Sequence, residues 1–478
     1  MKSKKIIPAL LFTTLLVPTL ASCGNEGEKQ PDNVLKIVVK SAGFGDVWIN
    51  KIKESFQAKH PDVTVEINAL YDTASLIESH LKSSKNEDDL YISVGDKWRS
   101  YAASGYFAEL DDLLEEEVDG VKVKNKVADE FENSLYFEKS NGEKHSYRLP
   151  WTSGVGGIFY NKKMFEKNGW SVPTTFDELV SLCDTINAAE IATSDGLTAV
   201  KPFAYTGQNT DYFDYTVFSW WSQIVGKNAI DEFLKYKSAN IFDVTQNETY
   251  QALKTATKHW DELFNKSNKA DKSVTNYIEG SNSKDAPTAQ KEFLNGYAAM
   301  MFNGDWLYNE LLNYSTSETA SSQFELGLMK TPALPEAKEE YLNTTYVTGE
   351  DQYIAIPSSS NSKDLAKEFI KEIISDKGCA TFTQNANAFL AYDCDYSKVE
   401  IADKYVKDVI ALRNNYVNKF TNYSNSRIYL TNTLNIWSSS ANRPYLSLLN
   451  QTVTVDGAFT TIANYAKANW ADWEYNAQ

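Results

Sequence analysis

The chain has 478 residues, 42% of them hydrophobic and 13% aromatic, with 64 acidic against 47 basic side chains and a formal charge of −17. That length and apolar content suffice to bury a large core divided among two or more compact units, which excludes a disordered chain. The acidic balance disfavours nucleic acid and anionic membrane surfaces as partners, and −17 becomes −20 if a leader bearing Lys2, Lys4 and Lys5 is removed.

Residues 1–23 have the three parts of an export signal: basic MKSKK, an apolar run over 6–20, and small residues before Cys23. The run is too short and too proline-interrupted for a stable membrane span. Pro8, Pro18 and the lysine cluster also fit a buried N-terminal helix poorly. Leu20-Ala21-Ser22-Cys23 resembles a lipobox, the bacterial signal whose cysteine is lipidated through sulfur and becomes the new N-terminus. Residues 24–33 (GNEGEKQPDN) are polar without an apolar period and read as a flexible tether.

From residue 34 the pattern is regular. Residues 35–39 predict a strand; Trp48, Ile49, Ile52 and Phe56 share one face of a helix; Val63, Val65 and Ile67 alternate as a second strand. A helix with Leu76, Ile77 and Leu81, a third strand at 90–94 and a short helix through Tyr101 complete a βαβαβ unit. Such a unit predicts a largely parallel sheet whose post-strand loops share one edge. Those loops carry Phe44, Tyr71, Asp96 and Trp98. Gly43-Phe44-Gly45 invites a dinucleotide-binding reading, but Trp48 stands where a third glycine is needed for the helix to approach the strand, so no nucleotide is expected.

Residues 115–127 are charged and read as surface. Residues 147–161 (YRLPWTSGVGGIFYN) lead through a Pro and three Gly into a strand, followed by a helix, Gly169, Pro173 and the capping box Thr175-x-x-Glu178. Residues 203–221 are unusually aromatic. Flat amphipathic rings can cover the apolar C–H faces of sugars while Gln208, Asn209 and Asp211 satisfy the hydroxyl rim, so at least one of Tyr205, Tyr212 and Trp221 is expected to line a site, with Phe213, Phe218 and one of Trp220 and Trp221 in the core.

Helices are predicted over 246–268 and 286–293, the second stopped by Asn295-Gly296. A buried strand over 297–302 follows, and Asn303-Gly304 breaks it, leaving Asp305-Trp306 at the carboxyl end where open α/β sheets place their ligands. Strands are expected at 324–329 and 353–356, and the C-terminal third is helical, with Trp437 after a short apolar run. Cys183 lies in an apolar helical stripe and reads as core; whether Cys379 and Cys394 pair stays open. His60, His80, His145 and His259 form no paired-ligand spacing, so neither a metal nor a cofactor is expected.

Phe293, Gly296-Tyr297-Ala298-Ala299-Met300 and Gly304-Asp305-Trp306 resemble the pattern of the extracellular solute-binding proteins of bacterial sugar ABC transporters, in the maltodextrin-binding group. Leu149-Pro150, Phe159-Tyr160-Asn161-Lys162, Phe165, Gly169, Pro173, Thr175 and Glu178-Leu179 follow the family order, as do Asn361, Ala366 and Phe369. The resemblance spans about residues 34–390. It implies an α/β, two-lobed periplasmic-binding-protein type II fold: 34–148 and 331–385 in lobe 1, 149–330 and 386–478 in lobe 2, joined by a hinge.

By the same resemblance Asp96 is a sugar-hydroxyl acceptor, although a helix N-cap is its alternative role. Trp151, Ser153 and Gly154 sit at the cleft mouth, Trp306 stacks on a pyranose, and Gly349, Glu350 and Asp351 form the turn before a late strand. Where the family often has Gly-Gly, this chain has Gly349-Glu350. The implied protein is a monomer, lipid-anchored on the outer face of a bacterial membrane, that binds carbohydrate and delivers it to permease subunits. A surface glycoside hydrolase is the rival reading, since Asp96, Asp305, Glu350 and Asp351 offer carboxylates, yet no pair of them shares a motif. A carbohydrate-binding lipoprotein without a transport role is a third. Cys23→Ser is expected to release the protein from membranes without altering its fold, and labelled fatty acid should mark the wild type alone; label on the variant contradicts the lipobox.

Overall fold

The structure is a computed structural model that describes residues 33–95, 97–139, 141–270, 275–314, 323–398, 400–431 and 444–477. Ten strands build its two main sheets: β1 Val34–Lys40, β2 Thr64–Leu70, β3 Leu90–Val94, β4 Gly154–Asn161, β5 Lys201–Ala204, β6 Ala298–Gly304, β7 Leu326–Leu328, β8 Thr344–Thr348, β9 Gln352–Ala355 and β10 Asn418–Phe420.

The first sheet runs β9-β3-β1-β2. β1 pairs in parallel with β2 (Leu35 opposite Val65) and with β3 (Ile37 opposite Leu90), as the βαβαβ pattern predicts, and β9 returns antiparallel to β3. Trp48, Ile49, Ile52 and Phe56 bury the inner face of the helix Val47–Lys59 against it. The second sheet runs β10-β8-β4-β6-β5, with β7 also on β4. It is mixed: β6 is antiparallel to β4 but parallel to β5.

Local signals act where the sequence puts them. The side chain of Thr175 accepts from the N–H of Glu178, whose carboxylate accepts in return, opening the helix Phe176–Ala189 that buries Cys183. Two expectations need amendment. β6 does not stop before Asn303: it continues through Gly304, because Asn303 and Gly304 find partners opposite Gly157 and Gly156 of the glycine-rich β4. The charged segment 115–127 is not merely surface, since Val118 in a small hairpin, Val123 in a helical turn and Val127 at its end are all buried.

Among the described residues the chain passes between the sheets three times, and the three passages lie side by side. Leu149 pairs with Ile354 and Gly154 with Thr348. On the other flank, Ser153 N–H donates to Phe389 and Ala391 N–H to Trp151. Of the strands in 331–385, β8 belongs to the second sheet and β9 to the first, so that passage falls on residues 349–351. Next to the third passage, a disulfide joins Cys379 to Cys394. Among the described residues no helix is long and apolar enough to cross a membrane.

Gly349 is the tightest point of the passages. Its φ is +130°, and a Cβ there would stand 2.0 Å from the carbonyl oxygen of Thr152. Both the backbone conformation and the space require glycine. Gly349→Ala is expected to cost on the order of 2–4 kcal/mol, read as a lower melting midpoint. An unchanged midpoint contradicts this account of the crossing.

Candidate ligand-binding cleft

Trp306 sits at the carboxyl end of β6, on the first turn of the helix Leu307–Tyr314, whose Glu310 N–H donates to its carbonyl at 3.1 Å. It is half-buried and packs against both hydrophobic clusters, each of which draws residues from both sheets. Gly304 makes that pose possible, since a Cβ there would meet the indole at 2.4 Å. The first sheet approaches from the other side: a Cβ on Gly43 would lie 3.4 Å from Trp306 Cβ, and Asn309 Nδ2 donates to the Gly43 carbonyl at 3.0 Å.

Tyr212, half-buried, lies 5.8 Å from the Trp306 ring at 58°, and Tyr215, fully buried, lies 6.1 Å away at 57°. Of the three aromatic candidates in that stretch, Tyr212 is the one beside Trp306. Burial pushes up the Tyr212 hydroxyl's ionisation, and Glu310 and Asp211 push it further. The neutral phenol is therefore the form present at physiological pH.

Beneath these rings the floor is polar and internally satisfied. Tyr215 Oη and Thr348 Oγ1 are 2.5 Å apart. Arg413 donates to the Ser153 carbonyl at 2.8 Å and to Ser153 Oγ at 3.2 Å, and Ser153 Oγ donates to Glu130 at 2.9 Å. Asp305 is buried, accepting from the Val155 N–H at 3.4 Å. Gly154 adjoins it: a Cβ there would stand 2.8 Å from Thr348 Oγ1 and 3.5 Å from Asp305 Oδ1. Burial pushes the Asp305 carboxyl up to about 7, against the opposing pull of Arg413.

Several residues expected at the cleft lie in the core instead. Trp98 is buried with the Arg148 guanidinium 4.4 Å from its ring centre and Arg99 5.1 Å away. Trp151 is enclosed by Phe44, Trp48 and Phe382, which also take Phe44 out of the cleft. Tyr205 packs among Phe213, Phe264 and Tyr277, and Trp221 packs on Phe218 and Phe233 with its indole N–H on the Thr249 carbonyl at 2.7 Å. In each case neighbouring side chains cover the ring and leave no face for a ligand. Ser153 is likewise buried, serving the floor.

Glu350 turns its carboxylate back onto the Gly349 N–H at 3.1 Å, its carbonyl accepts from Arg148 at 3.2 Å, and the Asp351 carbonyl accepts from the Gly95 N–H at 2.8 Å. Glu350 and Asp351 thus brace the crossing. Asp96, Trp437 and Cys23 lie outside the described residues. Thr348, Glu130, Arg413 and Asn309 come to the site from the fold alone, with no local motif to mark them, while Tyr215 belongs to the aromatic stretch 203–221. Glu109, Asp111 and His145 converge at the surface, where His145 Nδ1 is 2.5 Å from Asp111 Oδ2 and reads as an ion pair.

Asp305 makes stability depend on pH. Its folded value, about 7, exceeds the roughly 3.9 of an unfolded aspartate, so the native state holds the extra proton between them. Stability from this group is complete below about pH 4 and declines as pH rises through 7, by on the order of 4 kcal/mol in all. Asp305→Asn, neutral throughout, is expected to flatten that part of the profile in paired pH-dependent melts; an unaltered slope contradicts the assignment.

Comparison with known proteins fits this architecture. Residues 41–378 match the family described as bacterial extracellular solute-binding protein. The multiple sugar-binding protein of Streptococcus mutans serotype c is 24% identical over 413 residues, covering 84% of each chain. The diacetylchitobiose binding protein DasA of Streptomyces coelicolor is 23% identical over 391 residues, covering 78% of this chain and 79% of its own. Among solved structures, RafE of Streptococcus pneumoniae in complex with raffinose superposes with a TM-score of 0.62 at 15% identity, over 92% of this chain and 99% of that one. With a wedge of aromatic rings between two α/β layers and the family pattern running through both, the chain belongs to the bacterial extracellular solute-binding proteins.

Proposed function

We propose that this protein captures a carbohydrate outside the cell, holds it between two lobes and presents it to the permease of an ABC importer. The observation that carries the reading is the half-buried Trp306 between the two sheets, with Tyr212 beside it and a polar floor below. Ring faces suit the C–H surface of a pyranose and the surrounding polar groups suit its hydroxyls. The lobes form around the two sheets and pivot on the three adjacent passages. Closure completes the second wall only when a ligand bridges both lobes, so the closed form is the one a permease can distinguish. Lipidation at Cys23, with two or more acyl chains because one anchors only marginally, keeps this monomer at the outer membrane face.

One observation speaks for a hydrolase: a carboxyl held near 7, as Asp305 is, suits a general acid. Its engagement with the Val155 N–H and its place in the floor make it a packing and polarity element in the binding reading. Incubation with oligosaccharides is accordingly expected to yield no new reducing ends.

A thermal-shift screen over mono- and oligosaccharides tests the reading, since a ligand at 100 times its Kd stabilises the folded state by about 2.7 kcal/mol. Trp306→Ala is then expected to cost about 2 kcal/mol or more of binding, the scale of an aromatic anchor. Its effect on the ligand-free melt should be well below the roughly 3–5 kcal/mol of a truncated core aromatic. Intact affinity with a strongly destabilised protein would assign Trp306 to the core and overturn the site.

A further inference from the structure

The third passage between the sheets lies inside a covalent loop. Cys379 is buried on the helix Asp376–Ala386, whose Phe382 packs edge-on to Trp48 at 4.9 Å and to Trp151 at 6.2 Å. The helix ends at Asn387, which takes the left-handed conformation at φ +51°. Residues 388–393 then run between two neighbours. On one side the carbonyls of Phe389 and Trp151 accept from Ser153 N–H and Ala391 N–H, each at 3.0 Å, and Tyr392 Oη donates to the Pro150 carbonyl at 2.8 Å. On the other, Ala128 N–H donates to the Ala391 carbonyl at 3.1 Å and Asp393 N–H to the Lys126 carbonyl at 2.7 Å. Cys394 follows at once and bonds back to Cys379, 15 positions earlier.

Phe389 joins this loop to the cleft floor. Its carbonyl holds the Ser153 N–H, and its ring centre lies 4.5 Å from the Arg413 guanidinium, which itself donates to the Ser153 carbonyl and Oγ. Beyond the disulfide, the helix is tied to residues 395–400 by hydrogen bonds: Asp395 N–H on Asp376 at 3.4 Å, Thr383 Oγ1 on the Tyr396 hydroxyl at 3.3 Å, and an exposed one from Gln384 to the Glu400 carbonyl at 2.7 Å. A covalent tie between the loop's ends removes conformations that the segment would otherwise sample, and the bonds made along 149–153 are stabilised with it.

The two sulfurs differ in access. Cys394 is half-buried between the exposed Asp393 and Asp395, whereas Cys379 is wholly buried. Cys183 is buried on the helix Phe176–Ala189 with its thiol pushed up by burial, so it does not compete in exchange. We propose that the Cys379–Cys394 bond is a redox switch on the cleft: oxidised, it clamps the third passage and through Phe389 holds the floor; reduced by a dithiol, it releases both and weakens ligand binding. The dithiol's thiolate bonds to Cys394 Sγ, and Cys379 leaves as a thiolate that takes up a proton. The second thiol of the reductant then displaces Cys394, so two electrons and two protons pass to the protein and the reductant ends as a disulfide.

Hydrogen exchange of the full chain, read by mass spectrometry before and after dithiothreitol with a thiol count on the same samples, tests this. Reduction of the folded protein should release both thiols. Peptides spanning 149–155 and 387–394 should then exchange about tenfold faster or more, while 176–189 and 298–304 stay within about twofold. Reoxidation should restore the protection, and the doubly substituted Cys379→Ser, Cys394→Ser protein should match the reduced wild type with or without dithiothreitol. The best-binding sugar of the thermal-shift screen should bind the reduced form about threefold or more weakly, because binding must re-order a loosened floor. An unchanged thiol count, equal exchange in the two forms, a uniform rise across the chain, or equal affinity overturns the switch and leaves the carbohydrate reading in place. Failure of every sugar to bind overturns that reading instead, and the exchange result alone then decides the switch.

Discussion

The contact on which the architecture depends is backbone on backbone, where residues 149–154 run between 348–354 and 389–391. Three passages of chain between two sheets can lie that close only if the middle one offers hydrogen bonds to both sides and one neighbour lacks a side chain. Arg148 strengthens the junction from within: buried, it donates to the Gln352 carbonyl at 2.6 Å and the Glu350 carbonyl at 3.2 Å and lies over the Trp98 ring. A buried guanidinium is costly unless so engaged, so these carbonyls and that ring are a condition of its being there. Thr152 Oγ1 adds a 2.5 Å bond to Gln352 Oε1.

Most of the fold was legible because it rests on short-range rules. Period-two and helical patterns placed β1, β2 and the helix Val47–Lys59, and the Thr175–Glu178 capping box and the Asn295-Gly296 stop appear where chemistry requires them. The end of β6 was misjudged for a non-local reason: Asn303-Gly304 breaks a strand in isolation, but opposite the glycines of β4 it continues the ladder. The pairing of Cys379 with Cys394 was undecidable for the same reason, since it depends on where the third passage lies. Arg413 and Glu130 meet through Ser153 from remote parts of the chain, an arrangement no window of sequence contains.

The aromatic residues show a sharper limit. Trp98, Trp151, Trp221 and Trp306 are chemically alike, and large flat rings serve cores and sugar sites equally well. What separates them is the identity of their neighbours. Trp151 and Trp221 are enclosed by other aromatic side chains, and Trp98 is buried against Phe137, Tyr423 and two guanidinium groups. Trp306 instead rests on the bare backbone of Gly304, with Gly43 opposite. Glycine gives a ring support without covering it on every side, so Gly304 was the legible half of the signal, and Gly43, more than 250 residues away, was the half that only the fold could supply.

The division between floor and walls follows from these contacts. Tyr215 with Thr348, and Arg413 with Ser153 and Glu130, satisfy one another at hydrogen-bond distance, and a satisfied buried network resists rearrangement. Asp305 lies in that floor with its carboxyl pushed up by burial, near the Arg413 guanidinium and the Glu130 carboxylate that meet through Ser153. On the reading proposed above, a neutral polyhydroxylated ligand meets a floor whose polar groups are already engaged. On that reading, discrimination falls to the groups around the floor: the loops after β1 and β2 on one sheet, and the helix Leu307–Tyr314 on the other. Those two surfaces touch through Gly43, Trp306 and Asn309, so the ring proposed to carry the ligand is also where the two sheets meet.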